Sequence, residues 1–451
     1  MADEKFKNRN KEIGLLEELY NKKESKLIII YGRRRVGKTE LLKQFLKRQK
    51  GLYLLARQES EKEQLRKMSE NIAEYFDDNV LAKNPFVRWD GVFTYLSEKP
   101  RMPIIIDEFP YLVQSSKGIL GVFQDYWDNN LSKKGAFIVL CGSSIQMMEK
   151  LLGKKSPIYG RRTEQILLTP LKFKDACLFF PDSMKTKEEV YYYSILGGMP
   201  AYLLEFDYKK SLLENLLENL LKKNKFLYQE VLFSLREELK EPRNYFTILY
   251  SIAKGNTKLG NIMNDTGFEK SFVNKYLSVL VDLHLIERKI PITEKRKSRK
   301  GIYVIKDNFF KFWFRFIFEN QEYIEQDKQE LLVKERIMPE LNTYVGRIFE
   351  NIVLQKLNSS ERYKDYLIGQ WWDNKDDIDI LGLDKINKKI IIGEIKFKEL
   401  TNSQISDISK ELERKAEKVG LNGFSKEYLI FCLRHEHFKK ENLSIIDFKA
   451  I

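Results

Sequence analysis

Gly32-Arg33-Arg34-Arg35-Val36-Gly37-Lys38-Thr39 decides the fold, because an apolar run, Leu27 to Tyr31, leads into it and an amphipathic run, Leu41 to Leu46, follows. A strand, a tight glycine loop and a helix start are thus written consecutively. In that order the backbone N–H groups of the loop converge on phosphate oxygens, and the positive end of the helix adds to the attraction. Lys38 is placed to reach the β- and γ-phosphates, and Thr39 to complete the coordination of Mg²⁺.

The next chemical signals lie downstream. Pro103-Ile104-Ile105-Ile106-Asp107-Glu108 reads as a strand buried on both faces, with two carboxylates emerging at its carboxyl end, where open α/β sheets place their ligands. Asp107 is expected to hold Mg²⁺ through water, and Glu108 to orient or deprotonate the attacking water. A further buried run, Ala136 to Cys141, ends in Gly142-Ser143-Ser144, so that Ser143 is placed to touch the γ-phosphate. Arg161 and Arg162, in Tyr159-Gly160-Arg161-Arg162-Thr163, are expected near the same sheet edge, either steadying charge during phosphoryl transfer or forming a plain surface pair.

Gly32 to Thr39, Ile104 to Glu108, Leu140 to Ser144 and Leu196-Gly197-Gly198-Met199-Pro200, with the opening box Phe6, Asn8, Arg9 and Glu12, resemble the archaeal-type ATPase family within the AAA+/STAND group of P-loop NTPases. The resemblance implies ATP rather than GTP. It also implies a helical lid whose glycine-proline turn, here Gly198 and Pro200, contacts the adenine. Arg161 and Arg162 match the family's recurring Gly-Arg element by position.

At 451 residues the chain exceeds one ordinary core, so about three modules are expected. Hydrophobic residues at 43% and charged residues at 32% exclude a disordered chain. No apolar run approaches the roughly twenty residues that cross a bilayer. Met1 to Lys5 lacks the apolar centre of a secretion signal, and a cytoplasmic location with no membrane partner is expected. Cys141, Cys177 and Cys432 read as buried thiols. His435 and His437 read as decoration of a strand end rather than metal ligands. The net charge of +14 favours an acidic partner such as DNA, or serves only solubility.

The expected fold class is α/β multidomain: a P-loop AAA+ core over 1–168, a helical lid over 169–241, a winged helix-turn-helix over 242–308, an aromatic helical connector over 309–340 and a restriction-endonuclease-like α/β domain over 341–451. In the lid, Leu212, Leu213, Leu216, Leu217, Leu220 and Leu221 are spaced for one apolar face. The winged helix rests on helical patterns at Tyr245 to Ala253, Lys258 to Thr266 and Ser271 to Leu283. Strands Ile286 to Ile292 and Gly301 to Ile305 then flank the basic run Lys295 to Lys300. Its third helix carries few cations, Lys270 and Lys275, so DNA contact would be backbone-dominated, and packing or partner binding is the equal alternative. Phe309 to Phe318 reads as a buried helix in preference to a platform for stacked bases.

A second candidate site lies in 341–451. Glu350 falls in a helical run, while Asp377-Ile378-Asp379-Ile380-Leu381 and Ile390-Ile391-Ile392-Gly393-Glu394-Ile395-Lys396 form two strands joined by Asp384 to Lys388. Alternation puts Glu394 and Lys396 on one face, and Asp377 and Asp379 on one face of the neighbour. Where these faces coincide, Asp379 and Glu394 suit a hard ion such as Mg²⁺, the lysine positions water, and Glu350 offers another ligand. This order of elements resembles the PD-(D/E)XK nuclease superfamily, and more narrowly the C-terminal domain that accompanies the ATPase family above. Glu350, Asp379, Glu394 and Lys396 occupy the four motif positions, and the resemblance implies metal-dependent cleavage of DNA. Two functions compete: an ATP-regulated nuclease, and an ATP-dependent switch or scaffold whose terminal domains only bind DNA or protein. ATP and Mg²⁺ are the expected ligands, DNA the expected partner, and a homo-oligomer is left open.

Overall fold

Runs of isoleucine, leucine and valine without polar alternation must be covered on both faces, and they form the inner strands of a parallel sheet. In the computed structural model, which describes residues 6–239, 241–421 and 423–448, three such runs are the inner strands of a five-stranded sheet. The sheet consists of β1 (Lys26–Tyr31), β2 (Leu52–Leu55), β3 (Pro103–Asp107), β4 (Phe137–Gly142) and β5 (Glu164–Leu167), all parallel in the order β2-β3-β4-β1-β5, with β3, β4 and β1 inside. Helices Asn10–Asn21 and Lys38–Arg48 cover one face, packing Leu16, Leu19, Leu42 and Phe45 on Ile28, Ile30, Ile105 and Val139. Each such side chain, fully buried, contributes about 1.5–3 kcal/mol. Because the strands are parallel, the loops after β1, β3 and β4 open at the same edge. The reading of Met1 to Lys5 lies outside the described residues.

The chain divides into two compact units, Met1–Pro170, which holds this sheet, and Leu171–Ile451. In the second unit, helices Arg243–Lys254, Leu259–Thr266 and Lys270–Asp282 are followed by an antiparallel hairpin of β6 (Ile286–Lys289) and β7 (Ile302–Ile305). The aromatic run after β7 is interior: Phe309, Phe310, Phe312, Trp313 and Phe314 are all 0% exposed, and the Trp313 indole donates to the Tyr228 carbonyl at 2.9 Å. The leucine stripe is shorter than its spacing predicts. Leu216, Leu220 and Leu221 are buried, whereas Leu213 is exposed. The Leu221 amide bonds the Leu216 carbonyl at 2.9 Å, five residues back, and this wide turn rotates the face that a regular helix would have kept in line.

The remaining strands are β8 (Leu367–Trp372), β9 (Asp377–Asp384), β10 (Lys389–Ile395), β11 (Glu399–Leu400), β12 (Ser425–Cys432), β13 (Arg434–His435) and β14 (Leu443–Asp447). A mixed sheet runs β14-β12-β10-β9-β8, with β8, β9 and β10 antiparallel and β10, β12 and β14 parallel. Helix Asn402–Lys418 starts at a capping box of Thr401 and Gln404, which satisfies its first amides. It buries Ile405, Leu412 and Ala416 against Ile390, Ile392 and Ile430. The segment between β6 and β7 lies along the edge strand β8: the Ile292 amide donates to the Gln370 carbonyl and the Trp372 indole to the Lys300 carbonyl, both at 3.0 Å.

Among the described residues no helix is long and apolar enough to cross a membrane. Gly198 illustrates how tightly the second unit closes on itself. A Cβ there would overlap the Leu171 backbone carbonyl, whose own amide bonds the Gly198 carbonyl at 2.7 Å. Gly198→Ala is therefore expected to cost about 1–3 kcal/mol in denaturant unfolding, and unchanged stability would contradict this packing.

Candidate functional site

The loop after β1 is shaped by what surrounds it. Gly32 adopts φ +153°, and a Cβ there would overlap the Leu168 carbonyl, so no side chain fits. Lys38, buried at the start of the following helix, donates to the Gly32 and Arg33 carbonyls at 2.7 and 3.0 Å. Burial pushes its ammonium below the ordinary lysine range, and the negative groups nearby, Glu108 and Asp107 among them, oppose that shift. A buried ammonium held only by loop carbonyls is suited to exchange them for phosphate oxygens. Arg9 braces the loop from outside, donating to the Val36 carbonyl at 3.2 Å and the Thr169 carbonyl at 2.7 Å while pairing with Glu12 at 3.2 Å. Arg34 donates to the Tyr111 hydroxyl at 2.8 Å, and Arg35 takes φ +69° within the turn.

The ends of β3 and β4 meet this loop. The Thr39 hydroxyl donates to Asp107 Oδ2 at 2.8 Å, and the Tyr53 hydroxyl from β2 donates to the same oxygen at 2.6 Å. Asp107 Oδ1 accepts the Glu108 amide at 2.9 Å. Glu108 itself sits at φ +53°, and its carboxylate accepts the Ser143 amide at 3.2 Å together with the Ser143 hydroxyl. Thr39, Asp107, Glu108 and Ser143 are therefore one connected cluster beside Lys38.

Arg161 stands elsewhere. Thr163 bonds the Leu27 carbonyl at 2.8 Å and Glu164 pairs with Ile28 in register, which puts Arg161 and Arg162 at the amino end of the sheet, about 13 Å of strand from the phosphate loop. The expectation that they share the loop's edge is corrected by this. Arg161 forks onto Asp128 at 2.6 and 2.8 Å and Arg162 donates to the Leu152 carbonyl at 2.8 Å. Pro200, in the second unit, opens the short helix Pro200–Leu203.

The second cluster lies where β9 and β10 run antiparallel. Ile380 pairs with Gly393, so Asp379 and Glu394 face each other across the ladder. Asp379 Oδ2 accepts the Ile395 amide at 2.8 Å. Glu394 accepts Lys396 at 2.6 Å and lies 3.5 Å from Lys415 of helix Asn402–Lys418. Glu350, on helix Met338–Leu357, accepts the Gln370 side chain at 3.2 Å. Burial first, and then the charges of Glu350 and Glu394, push the Asp379 carboxyl up to about 8. Burial likewise raises Glu350, against the pull of Lys311. Burial disfavours the Lys396 charge, but the hydrogen bond and charge of Glu394 outweigh it and raise the lysine. Crowded carboxyls that cannot all ionise together are an oxygen-donor set suited to a hard divalent ion.

Three partners had weak signals in the sequence. Lys415 occupies a position on the apolar stripe of Leu412 and Ala416, a lysine where a leucine would be ordinary. Tyr53 alternates with buried Leu52 and Leu54 in an unremarkable strand. Asp447 lies far along the chain, yet its Oδ1 is 2.6 Å from His435 Nδ1 and 3.8 Å from Cys432 Sγ, while His437 is exposed and stands apart. Cys141 and Cys432 are buried thiols, and Cys177 is only partly so.

Residues 6–206 match a family described as an ATPase domain predominantly from Archaea, and residues 313–408 match one described as Archaea bacterial proteins of unknown function. An uncharacterized protein of Methanocaldococcus jannaschii is 36% identical over 443 residues, 97% of this chain and 97% of its own length. An uncharacterized ATP-binding protein of the same organism is 53% identical over 45 residues, 10% of this chain and 76% of that protein. A Walker-type ATPase of Pyrococcus abyssi shares the fold at 20% identity and a TM-score of 0.50, over 69% of this chain and 96% of that one.

The raised Asp379 carboxyl gives a stability test on metal-free protein. It stays protonated in the folded chain up to about pH 8, whereas the unfolded chain ionises near 3.8. Its contribution is thus full below about pH 4 and lost as pH rises through about 8. In EDTA, Asp379→Asn should melt several degrees above wild type at pH 8 and close to it at pH 4. A difference that fails to widen over that range contradicts a buried neutral carboxyl.

Proposed function

This chain belongs to the archaeal-type ATPase family, and from that premise we propose that it hydrolyses ATP at the loop Gly32 to Thr39 with Mg²⁺, and acts on DNA through a metal-dependent carboxylate site. In this reading residues 1–168 are the AAA+ core, 169–241 its lid, 242–308 a winged helix, 309–340 a connector and 341–451 a nuclease-like domain. Gly198 and Pro200 belong to the turn that contacts adenine.

For ATP turnover, the connected cluster of Thr39, Asp107, Glu108 and Ser143 carries the reading. The loop amides and Lys38 bind the phosphates, with Lys38 giving up the Gly32 and Arg33 carbonyls. Thr39 and Asp107 would hold Mg²⁺, which when bound neutralises charge on the β- and γ-phosphates. Tyr53 and Thr39 both donate to Asp107 and so fix its orientation. Glu108 is tied to Ser143. It orients and deprotonates water once Ser143 turns its hydroxyl to the γ-phosphate, so the serine links the presence of that phosphate to the release of the base. The position of Arg161 supports a role in trans or in structure rather than on its own chain's phosphates.

For DNA, the pairing of Asp379 with Glu394 in register, flanked by Lys396 and Glu350, carries the reading. Asp379 and Glu394 would hold a divalent ion, which when bound polarises the scissile phosphate and acidifies a water. Lys396 positions that water, and Lys415 holds Glu394 in place from the neighbouring helix. One observation favours the binding-only alternative for the winged helix: its wing is hydrogen-bonded to β8 through Ile292 and Lys300, so part of it serves packing.

Glu108→Gln should lower ATP turnover at least about 100-fold while nucleotide affinity is kept; turnover near wild type would remove Glu108 from the water-activating role. Glu394→Ala should abolish Mg²⁺- or Mn²⁺-dependent cleavage of plasmid and single-stranded DNA with ATP turnover intact, and cleavage at the wild-type rate would leave the switch or scaffold reading.

A further inference from the structure

Above the carboxylates of the second unit lies a cavity of about 1420 Å³, with Glu350 and Lys396 in its lining. Its wall is drawn from five separate stretches of chain, four of which supply cations: Lys185, Lys187, Arg347, Lys396, Lys398 and Arg434. Among the described residues only Lys396 of these six is in an ion pair, with Glu394. The other five are exposed side chains around one space, and the same lining holds three carboxylates, Glu350, Glu399 and Asp447, against the six cations. Desolvated carboxyls below and unpaired cations above are what a polyanion presenting one phosphate at a time requires.

We propose that this cavity is a track for a single polynucleotide strand, whose backbone phosphates pair with Lys185, Lys187, Arg347, Lys398 and Arg434 as one phosphate is brought to the carboxylates. The volume exceeds the roughly 300–1,000 Å³ of a small-molecule pocket, and the wall is charged rather than apolar. A duplex is a poor fit, because Asp379 at 8% exposure lies below the surface and a stiff double helix cannot bend a phosphate down to a recessed carboxylate. A single strand can. Tyr191, half-buried on the same wall and edge-to-face with Phe397 at 5.6 Å, offers a ring on which a base can stack. Lys185 immediately precedes helix Thr186–Leu196, and Lys187 and Tyr191 lie on it, outside the nuclease-like domain. The helix so supplies substrate contacts that no catalytic motif encodes. The proposal rests on the nuclease reading for the fate of the strand, not for its binding.

The test measures fluorescence anisotropy of the full-length chain in EDTA with labelled oligonucleotides: single-stranded DNA, single-stranded RNA and duplex DNA. At low salt, the doubly substituted chain K185E/K187E should bind single strands at least tenfold more weakly than wild type, with duplex affinity changed less than twofold. The slope of log affinity against log salt should fall by about 1.4, at roughly 0.7 per lost phosphate contact. R434E, on a different strand, should also weaken single-strand binding selectively, with a slope change of about 0.7 for its one contact, and thermal melting shows that both variants fold. Loss with single-stranded DNA, with single-stranded RNA or with both supports the track, and a difference between the two identifies its sugar. Single-strand affinity unchanged in both variants, or an equal loss for duplex, overturns it. Strand binding as predicted without any cleavage in Mg²⁺ or Mn²⁺ would sink the nuclease reading and leave the track standing.

Discussion

The hydrogen bond from Thr39 to Asp107, 2.8 Å long, joins two residues that the chain keeps 68 positions apart, and the first unit is built to make it. Thr39 follows a loop that only a glycine at position 32 permits. Asp107 ends a strand buried along its whole length. Both are fixed because β1, β4 and β3 are neighbours in one parallel sheet, so their carboxyl ends finish together. Were β3 antiparallel to β1, the acid and the hydroxyl would sit at opposite ends of the sheet. That is the fate of Arg161 here, which enters at the amino end of β5 and is taken up by Asp128.

Both candidate sites solve the same electrostatic problem with opposite charge. A buried ion must be compensated or it gives up its charge. Lys38 is compensated by two carbonyls and by the carboxylates beyond them, and burial still pulls it down. Asp379 has a single backbone donor and two carboxyl neighbours, and it moves the other way, toward the neutral acid. Each arrangement is costly for the protein by itself and becomes favourable with a partner of the missing sign. On the proposed function that partner is a phosphate in the first unit and a cation in the second. Lys396 and Lys415 take up only Glu394 and leave the oxygens of Asp379 and Glu350 underused.

What was legible in the sequence follows from the range over which each signal acts. The loop Gly32 to Thr39 and the apolar run before Asp107 are local patterns with one structural meaning, and the strands appear where those runs lie. Period-two alternation likewise placed Asp379 and Glu394, because a hairpin as short as Asp384 to Lys388 fixes the register between them. Register failed where backbone geometry departed from regularity, as in the leucine stripe, broken by one five-residue turn at Leu216. Contacts between distant segments left no pattern at all. Tyr53 reaches Asp107 only because β2 neighbours β3, and Lys415 reaches Glu394 only because its helix packs on β10. The edge occupied by Arg161 depended on strand direction, which the residues around it do not encode.

The segment between β6 and β7 shows how one stretch can serve packing and still leave charged surface exposed. β8 is the last strand of its sheet, and an open edge invites pairing with other chains. The segment after β6 covers it: Ile292 bonds Gln370, packs against Gly369 and joins the apolar cluster around Trp371. Detaching that segment would expose the cluster and the strand edge together. Yet the turn beyond it is outside this contact, with Lys295, Arg296, Lys297 and Arg299 exposed, and Arg288 holds the turn in shape through the carbonyls of Arg296 and Ser298. The apolar root thus fixes the turn relative to β8, whose Gln370 also holds Glu350. On the proposed function, a polyanion drawn to those cations would meet a surface already held near the carboxylates, so affinity gained at that turn would not be spent on ordering a loose arm.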